Sequence, residues 1–226
     1  MESPTFPGPD VLLARLGTVE QPLTGENLRR LAERLGMRGP DLFLVAGLAV
    51  PDDELLLDEE AGRELPRLVR HALRAPAPGR RRLRDRARSL SEAPRHLALR
   101  QQRPYEQYPP GYGSLLVRML ALRNLGWSSA AKVMSLMSGV HLSAATIGAV
   151  GRGTKQLDAE LLHGFAAVLG IPVDVLARLT GVRRAAESGG LPTEVADTAA
   201  LLWDVRHLTA DQVRDLSRLA AHEAGP

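Results

Sequence analysis

The side chains of this chain that could do chemistry are suited to holding an anion, and they gather between residues 128 and 156. Ser128 and Ser129 stand where they can cap a helix, whose first-turn amides would then face a negative group. Small residues at Ser143, Ala144, Ala145 and Gly148 let one backbone come close to another, or to a phosphate. Positive charge is supplied by Lys132, Arg152 and Lys155, with Gln156 beside the last. Catalytic chemistry has no such gathering. There is no recognisable nucleophile–base pair or paired-carboxylate site, so the chain is read as a non-enzyme with no catalytic residue. His71, His96, His141, His163, His207 and His222 lack metal-ligand spacing and read as unpaired surface or edge residues. No metal and no other cofactor is expected. Gly148 to Lys155 imitates a phosphate loop only superficially, because Thr154 precedes Lys155 and no strand leads in. Asp58-Glu59-Glu60 is the densest acidic run, and a solvated helix terminus accounts for it.

The elements that must position these residues are helices. Apolar residues recur at three and four throughout and no run alternates at period two, so the fold class is all-α with no β-sheet. In the first part of the chain, Thr24–Gly36 turns Leu28, Leu31, Ala32 and Leu35 to one face, and Asp41–Gly47 is a shorter apolar helix. Pro51-Asp52-Asp53 opens an acidic, leucine-bearing segment, which Pro66 either kinks or divides. Ala75-Pro76-Ala77-Pro78-Gly79 is a breaker before the basic stretch Arg80–Arg88, which is either a phosphate-neutralising segment or a solvated helix face with Leu83, Ala87 and Leu90 turned inward. The prolines and glycines of 104–113 mark the main linker, and its three tyrosines are expected to pack down onto the protein. Further helices are expected near 114–125, 128–138, 142–150, 158–169 and 173–179, with Trp127 and Trp203 as core anchors. A shorter break at 181–191 precedes a C-terminal pair, Thr193–Arg206 and Thr209–Glu223. The second of these opens on Thr209 and Gln212 at capping-box spacing. The apolar stripe of this pair is expected to support a dimer or to cap the core.

Composition sets the partner class. Cysteine is absent, which excludes disulfides and thiolate metal sites. The longest apolar run, Leu42 to Val50, is too short to cross a bilayer, and no signal peptide is recognisable, so a cytoplasmic location is expected. The net charge of +3 hides a strong asymmetry. Residues 79–104 carry nine basic against two acidic residues, and 111–187 carry eight against four. Residues 1–78 carry nine against 13, and 188–226 carry three against six. The middle of the chain can therefore attract a polyanion and the ends cannot. Only two lysines stand against 27 arginines, which suggests a GC-rich genome and makes codon bias a competing source of any one arginine.

Residues 112–182 resemble the Cro/repressor-type, xenobiotic-response-element-like helix-turn-helix family of bacteria. The resemblance rests on Thr146-Ile147-Gly148-Ala149-Val150-Gly151-Arg152-Gly153, then Leu157, then Leu161 to Pro172, which follow the family's third helix, glycine turn, fourth helix and the start of the fifth. It implies a lambda-repressor-like five-helix domain that binds double-stranded DNA as a homodimer. It also implies that Lys132, Arg152, Lys155 and Gln156 meet phosphates, while Ser143, Ala144 and Thr146 meet base edges from a third helix in the major groove. Ser128 and Ser129 would begin the second helix. The chain departs from the family in three places. Gly139-Val140-His141-Leu142 adds two residues to the turn, the third helix lacks Arg, Gln or Asn in its first turns, and Gly151 replaces the usual acidic residue. Modest sequence discrimination is expected from such a helix.

Residues 9–48 repeat 143–182 without a gap, at an offset of 134, with nine of forty pairs identical. These fall on apolar helix positions and helix-ending glycines, including Leu28/Leu162, Ala32/Ala166, Gly36/Gly170 and Gly47/Gly181. The N-terminal copy corresponds to only the third to fifth helices, so either two helices were lost or the true start lies upstream. Its segment Val11–Leu16 is too apolar to face DNA and is expected to be buried, against the basic stretch or a second subunit. The resulting division is an N-terminal helical domain at 1–78, a basic segment and linker at 79–111, the helix-turn-helix domain at 112–187 and the C-terminal pair at 188–226. The expected function is that of a DNA-binding transcriptional regulator. The alternative is a protein-interaction scaffold of degenerate helix-turn-helix repeats. The first requires Ser128, Lys132, Ser143, Thr146, Arg152 and Lys155 on one exposed face with no acid among them.

Overall fold

The structure is a computed structural model that describes residues 6–17, 24–51, 58–91, 107–184 and 190–225. The described residues form twelve helices and no strand, and the fold is all-α. In chain order these are α1 (Pro9–Arg15), α2 (Gly25–Leu35), α3 (Gly39–Val45), α4 (Glu59–Arg74), α5 (Ala77–Ser89), α6 (Tyr112–Ala121), α7 (Trp127–Ser138), α8 (Ala144–Gly151), α9 (Ala159–Leu169), α10 (Val173–Thr180), α11 (Thr193–Asp204) and α12 (Ala210–Ala224). Most of the acidic segment after Pro51, the looser stretch with Tyr105, and part of the break before Leu191 lie outside the described residues. No described helix is long and apolar enough to cross a membrane.

The internal repeat extends to the helix caps. Thr24 Oγ1 accepts from the Asn27 amide to start α2, and Asp158 Oδ1 accepts from the Leu161 amide to start α9. Both helices end on a left-handed glycine, Gly36 at φ 66° and Gly170 at φ 66°, a conformation that costs a glycine little and other residues more. The copies diverge at their first helix. Gly17 is left-handed, whereas Gly151 stays helical and the left-handed turn falls at Gly153. The amides of Thr154 and Lys155 and the Thr154 hydroxyl all donate to the Ala149 carbonyl, closing this longer turn. The burial expected of Val11–Leu16 holds in part: Leu12 and Leu13 of α1 and Leu16 just after it are buried, while Val11 is exposed. α1 packs toward α10 and α3, not the basic stretch, and Arg15 donates to the Leu179 carbonyl and to the Tyr112 hydroxyl.

One apolar cluster runs through all twelve helices, and α4 is its hub, packing against α7, α5, α11 and α12. Pro66 neither ends this helix nor splits it in two. An interior proline costs about 3 kcal/mol. Burial of Leu65, Leu68, Val69 and Ala72 between neighbouring helices outweighs that, at roughly 1.5–3 kcal/mol for each large apolar side chain. A Cβ at Gly62 would lie 2.3 Å from the Asn124 carbonyl, so only glycine lets α4 seat against the α6–α7 corner.

The basic stretch is the helix face with inward Leu83, Ala87 and Leu90 that the second sequence expectation describes, with one difference: several of its cations are paired. Arg80–Arg88 lies on α5, and its cations face the acids of the C-terminal helices: Arg80 meets Asp197 at 2.9 Å, Arg84 and Arg88 share Asp204, and Arg82 pairs with Glu223. The basic middle and acidic end of the chain neutralise one another. Leu83 and Ala87 are buried as expected. The Thr209–Gln212 capping box is present, but α11 and α12 pack chiefly on α4 and α5 instead of on one another. Of their stripe, Val195, Ala199, Leu202, Val213 and Leu216 are buried within the chain, and Trp203 and Leu219 are partly buried against the same core. Trp203 is half-buried and ringed by the guanidinium groups of Arg38, Arg123 and Arg206, whose Cζ atoms lie 5.5, 5.3 and 3.9 Å from its centroid.

A buried ion pair joins the N-terminal repeat to the rest. Arg123, at the end of α6, donates to both Asp41 carboxylate oxygens at 2.8 Å, and to the carbonyls of Met119 and Leu169. Both side chains are 0 % exposed.

Candidate nucleic-acid interface

The face of interest is built from α7, α8 and the turn after α8. Gly126 in extended backbone caps α7, and no side chain does. Ser128 and Ser129 are therefore corrected from cap to first-turn residues, because Trp127 enters the helix at its first position. There its ring is 3.2 Å from where a Cβ on Gly148 would sit, fitting α7 to α8. Ser128 is exposed and Ser129 is buried, so only the first can meet a ligand.

The α8 cap uses both hydroxyls assigned to base edges. Ser143 Oγ accepts from the Thr146 amide at 3.1 Å and lies 2.9 Å from Thr146 Oγ1. Ser143 is exposed, Ala144 and Thr146 are half-buried, and Ala145 is exposed, so α8 presents a flat surface of short side chains. Ile147 and Val150 are buried as expected. Gly148 does not offer close approach to a phosphate, since Trp127 and Arg152 cover it. Gly151 is closed by Tyr108, whose ring comes within 2.2 Å of an added Cβ. Tyr108 is buried against Trp127, the ring centroids 6.4 Å apart, and this burial pushes its phenol above the ordinary value while the charge of Arg152 opposes the shift. Tyr108 thus fills the space that any side chain at position 151 would need.

The cations divide into two groups. Arg152 is exposed and lies over Trp127, its Cζ 5.9 Å from the ring centroid, next to the turn that carries Ser128. Lys155 and Gln156 are exposed beyond α8, and Lys155 stands 3.7 Å from Asp158. An acid is therefore present among the named residues. Lys132 and Ser143 line an open groove of about 480 Å3 together with Pro66 and Arg70 of α4. His141 lines the same groove, and its Nδ1 is 2.9 Å from Ser135 Oγ, which corrects its reading as an unpaired histidine.

Arg70 belongs to a feature the sequence reading missed. Arg63, Arg67, Arg70 and Arg74 recur at helical spacing, are all exposed, and make no ion pair among the described residues. Burial, with the charges of Arg67, Arg74 and Arg70, holds the His71 imidazole below its ordinary value. Their spacing of three and four is legible in the sequence, whereas which basic residues meet a carboxylate depends on the packing of distant helices. No protein-family model, no curated protein and no solved structure matches the chain.

Proposed function

We propose that this chain is a transcriptional regulator that binds double-stranded DNA as a homodimer, without catalysis, through a helix-turn-helix formed by α7 and α8 within α6–α10. The observation that carries this is the short, flat α8, packed on α7 through Trp127 and bordered by exposed Lys132 and Arg152. Side chains this short let the helix approach base edges closely while reading few of them, so phosphate contacts from Lys132, Arg152 and Lys155 supply most affinity. Asp158 reduces the share of Lys155.

The test is retention of a mixed-sequence duplex as salt rises from about 50 to 200 mM, where phosphate contacts weaken steeply. Arg152→Ala should weaken binding to all sequences and lower the salt slope by about one. Thr146→Ala should alter preference at one or two base pairs by roughly 1–3 kcal/mol. The hydroxyl contact in the α8 cap favours a second reading, a protein-interaction scaffold, in which Ser143 and Thr146 serve the helix alone. Absence of salt-dependent retention at about 50 mM salt would decide for the scaffold.

A further inference from the structure

We propose that the exposed arginines of α4, Arg67, Arg70 and Arg74, form a second phosphate-contact track for the same duplex, continuing the α7–α8 face across the groove. This rests on the proposed DNA-binding function and assigns it a surface outside the helix-turn-helix. Four observations converge on these residues.

Their spacing sets them on one stripe of α4, opposite the Leu65, Leu68 and Ala72 side that is buried in the core. They make no ion pair among the described residues, whereas Arg80, Arg82, Arg84 and Arg88 on α5 are each held by a carboxylate. An exposed arginine cluster without acids repels itself and gains from a polyanion. Of the acids of α4, Glu59 and Glu60 occupy the first turn beside Arg63, which weakens that residue as a contact, and Glu64, a neighbour of Arg67 at i,i+3 spacing, pairs with Arg214. Finally, α4 packs along α7, and Arg70 shares its groove with Lys132, His141 and Ser143.

The geometry favours duplex DNA over a point ligand. Arg67 to Arg74 spans about 10 Å of helix, a length of duplex that carries on the order of six phosphate charges. The guanidinium fork suits phosphate oxygens, and Arg70, which lines the groove with Lys132, is where the track meets α7.

The full-length protein decides the matter in a fluorescence-anisotropy titration of a mixed-sequence duplex across salt. The Arg67→Gln/Arg70→Gln/Arg74→Gln variant should bind every sequence more weakly, with a salt slope lower by about three, near 0.9 per phosphate lost. The matching lysine variant should keep most of the slope, which separates lost charge from a damaged helix. Arg81→Gln/Arg86→Gln, exposed on α5, should change little. If Lys132→Gln and Arg152→Gln weaken binding while the triple variant keeps the wild-type slope, the track is wrong and the α7–α8 interface stands. If the wild type binds no duplex, both fall. If the triple variant loses only binding to an acidic protein such as a polyglutamate carrier and keeps its duplex slope, the stripe is a protein-docking surface and the proposal is overturned.

Discussion

Tyr108 occupies the space that any side chain at position 151 would need, and with Trp127 and Arg152 it forms a small stack behind α8. Gly151→Asp must therefore expel a buried ring and place a carboxylate against it. Overpacking of this kind typically costs 1–3 kcal/mol, and lost burial of the ring adds to it. A thermal melt should show clear destabilisation, and an unchanged melting temperature would mean that Tyr108 is not seated there. At this scale the sequence was partly legible. The inward anchors Ile147 and Val150 follow from period alone. The fate of Gly151 depended on a tyrosine 43 positions earlier in a stretch without periodicity, and spacing cannot reveal such a contact. Ser129 was misread for a related reason. A serine near a helix start caps it only if the helix begins after the serine, and Trp127 makes it begin earlier.

Helices were more legible than their partners. Thr24, Gly36, Thr209 and Gln212 mark helix ends by local chemistry that acts within a few residues, and they appear where local rules put them. The neighbour of α5 is a different kind of question, because charge in a sequence gives no hint of where its counter-charge will stand. Asp204, nearly buried, holds both Arg84 at 2.8 Å and Arg88 at 3.2 Å. Asp204→Asn should leave these two cations free. Non-specific retention of duplex DNA should then increase and its salt slope steepen by about one to two. The stability loss should be about 1–3 kcal/mol, since charged hydrogen bonds are lost at a largely buried site. Equal slopes for the variant and the wild type would show that α5 stays shielded from polyanions by something other than this carboxylate.

Across the whole molecule, the Arg123–Asp41 pair is the tie whose removal should matter most for stability. Truncating one partner strands a charge in the interior, and such changes typically cost 3–5 kcal/mol, so Arg123→Ala should lower the denaturant midpoint strongly. Replacing both with apolar residues, Asp41→Leu with Arg123→Met, should cost much less than the single change. The two residues are 82 positions apart, and the pair also needs the Leu169 carbonyl at the end of α9. That separation has a consequence in time. Attraction between these charges repays their lost hydration only once α3, α6 and α9 have closed around them, so the contact belongs late on the folding route. Its loss should fall almost wholly on the unfolding arm of a chevron plot, accelerating unfolding by roughly two to four orders of magnitude while leaving the folding rate nearly constant. The buried pair would then act as a latch: it contributes little to how quickly the chain finds its fold and much to how long it stays there.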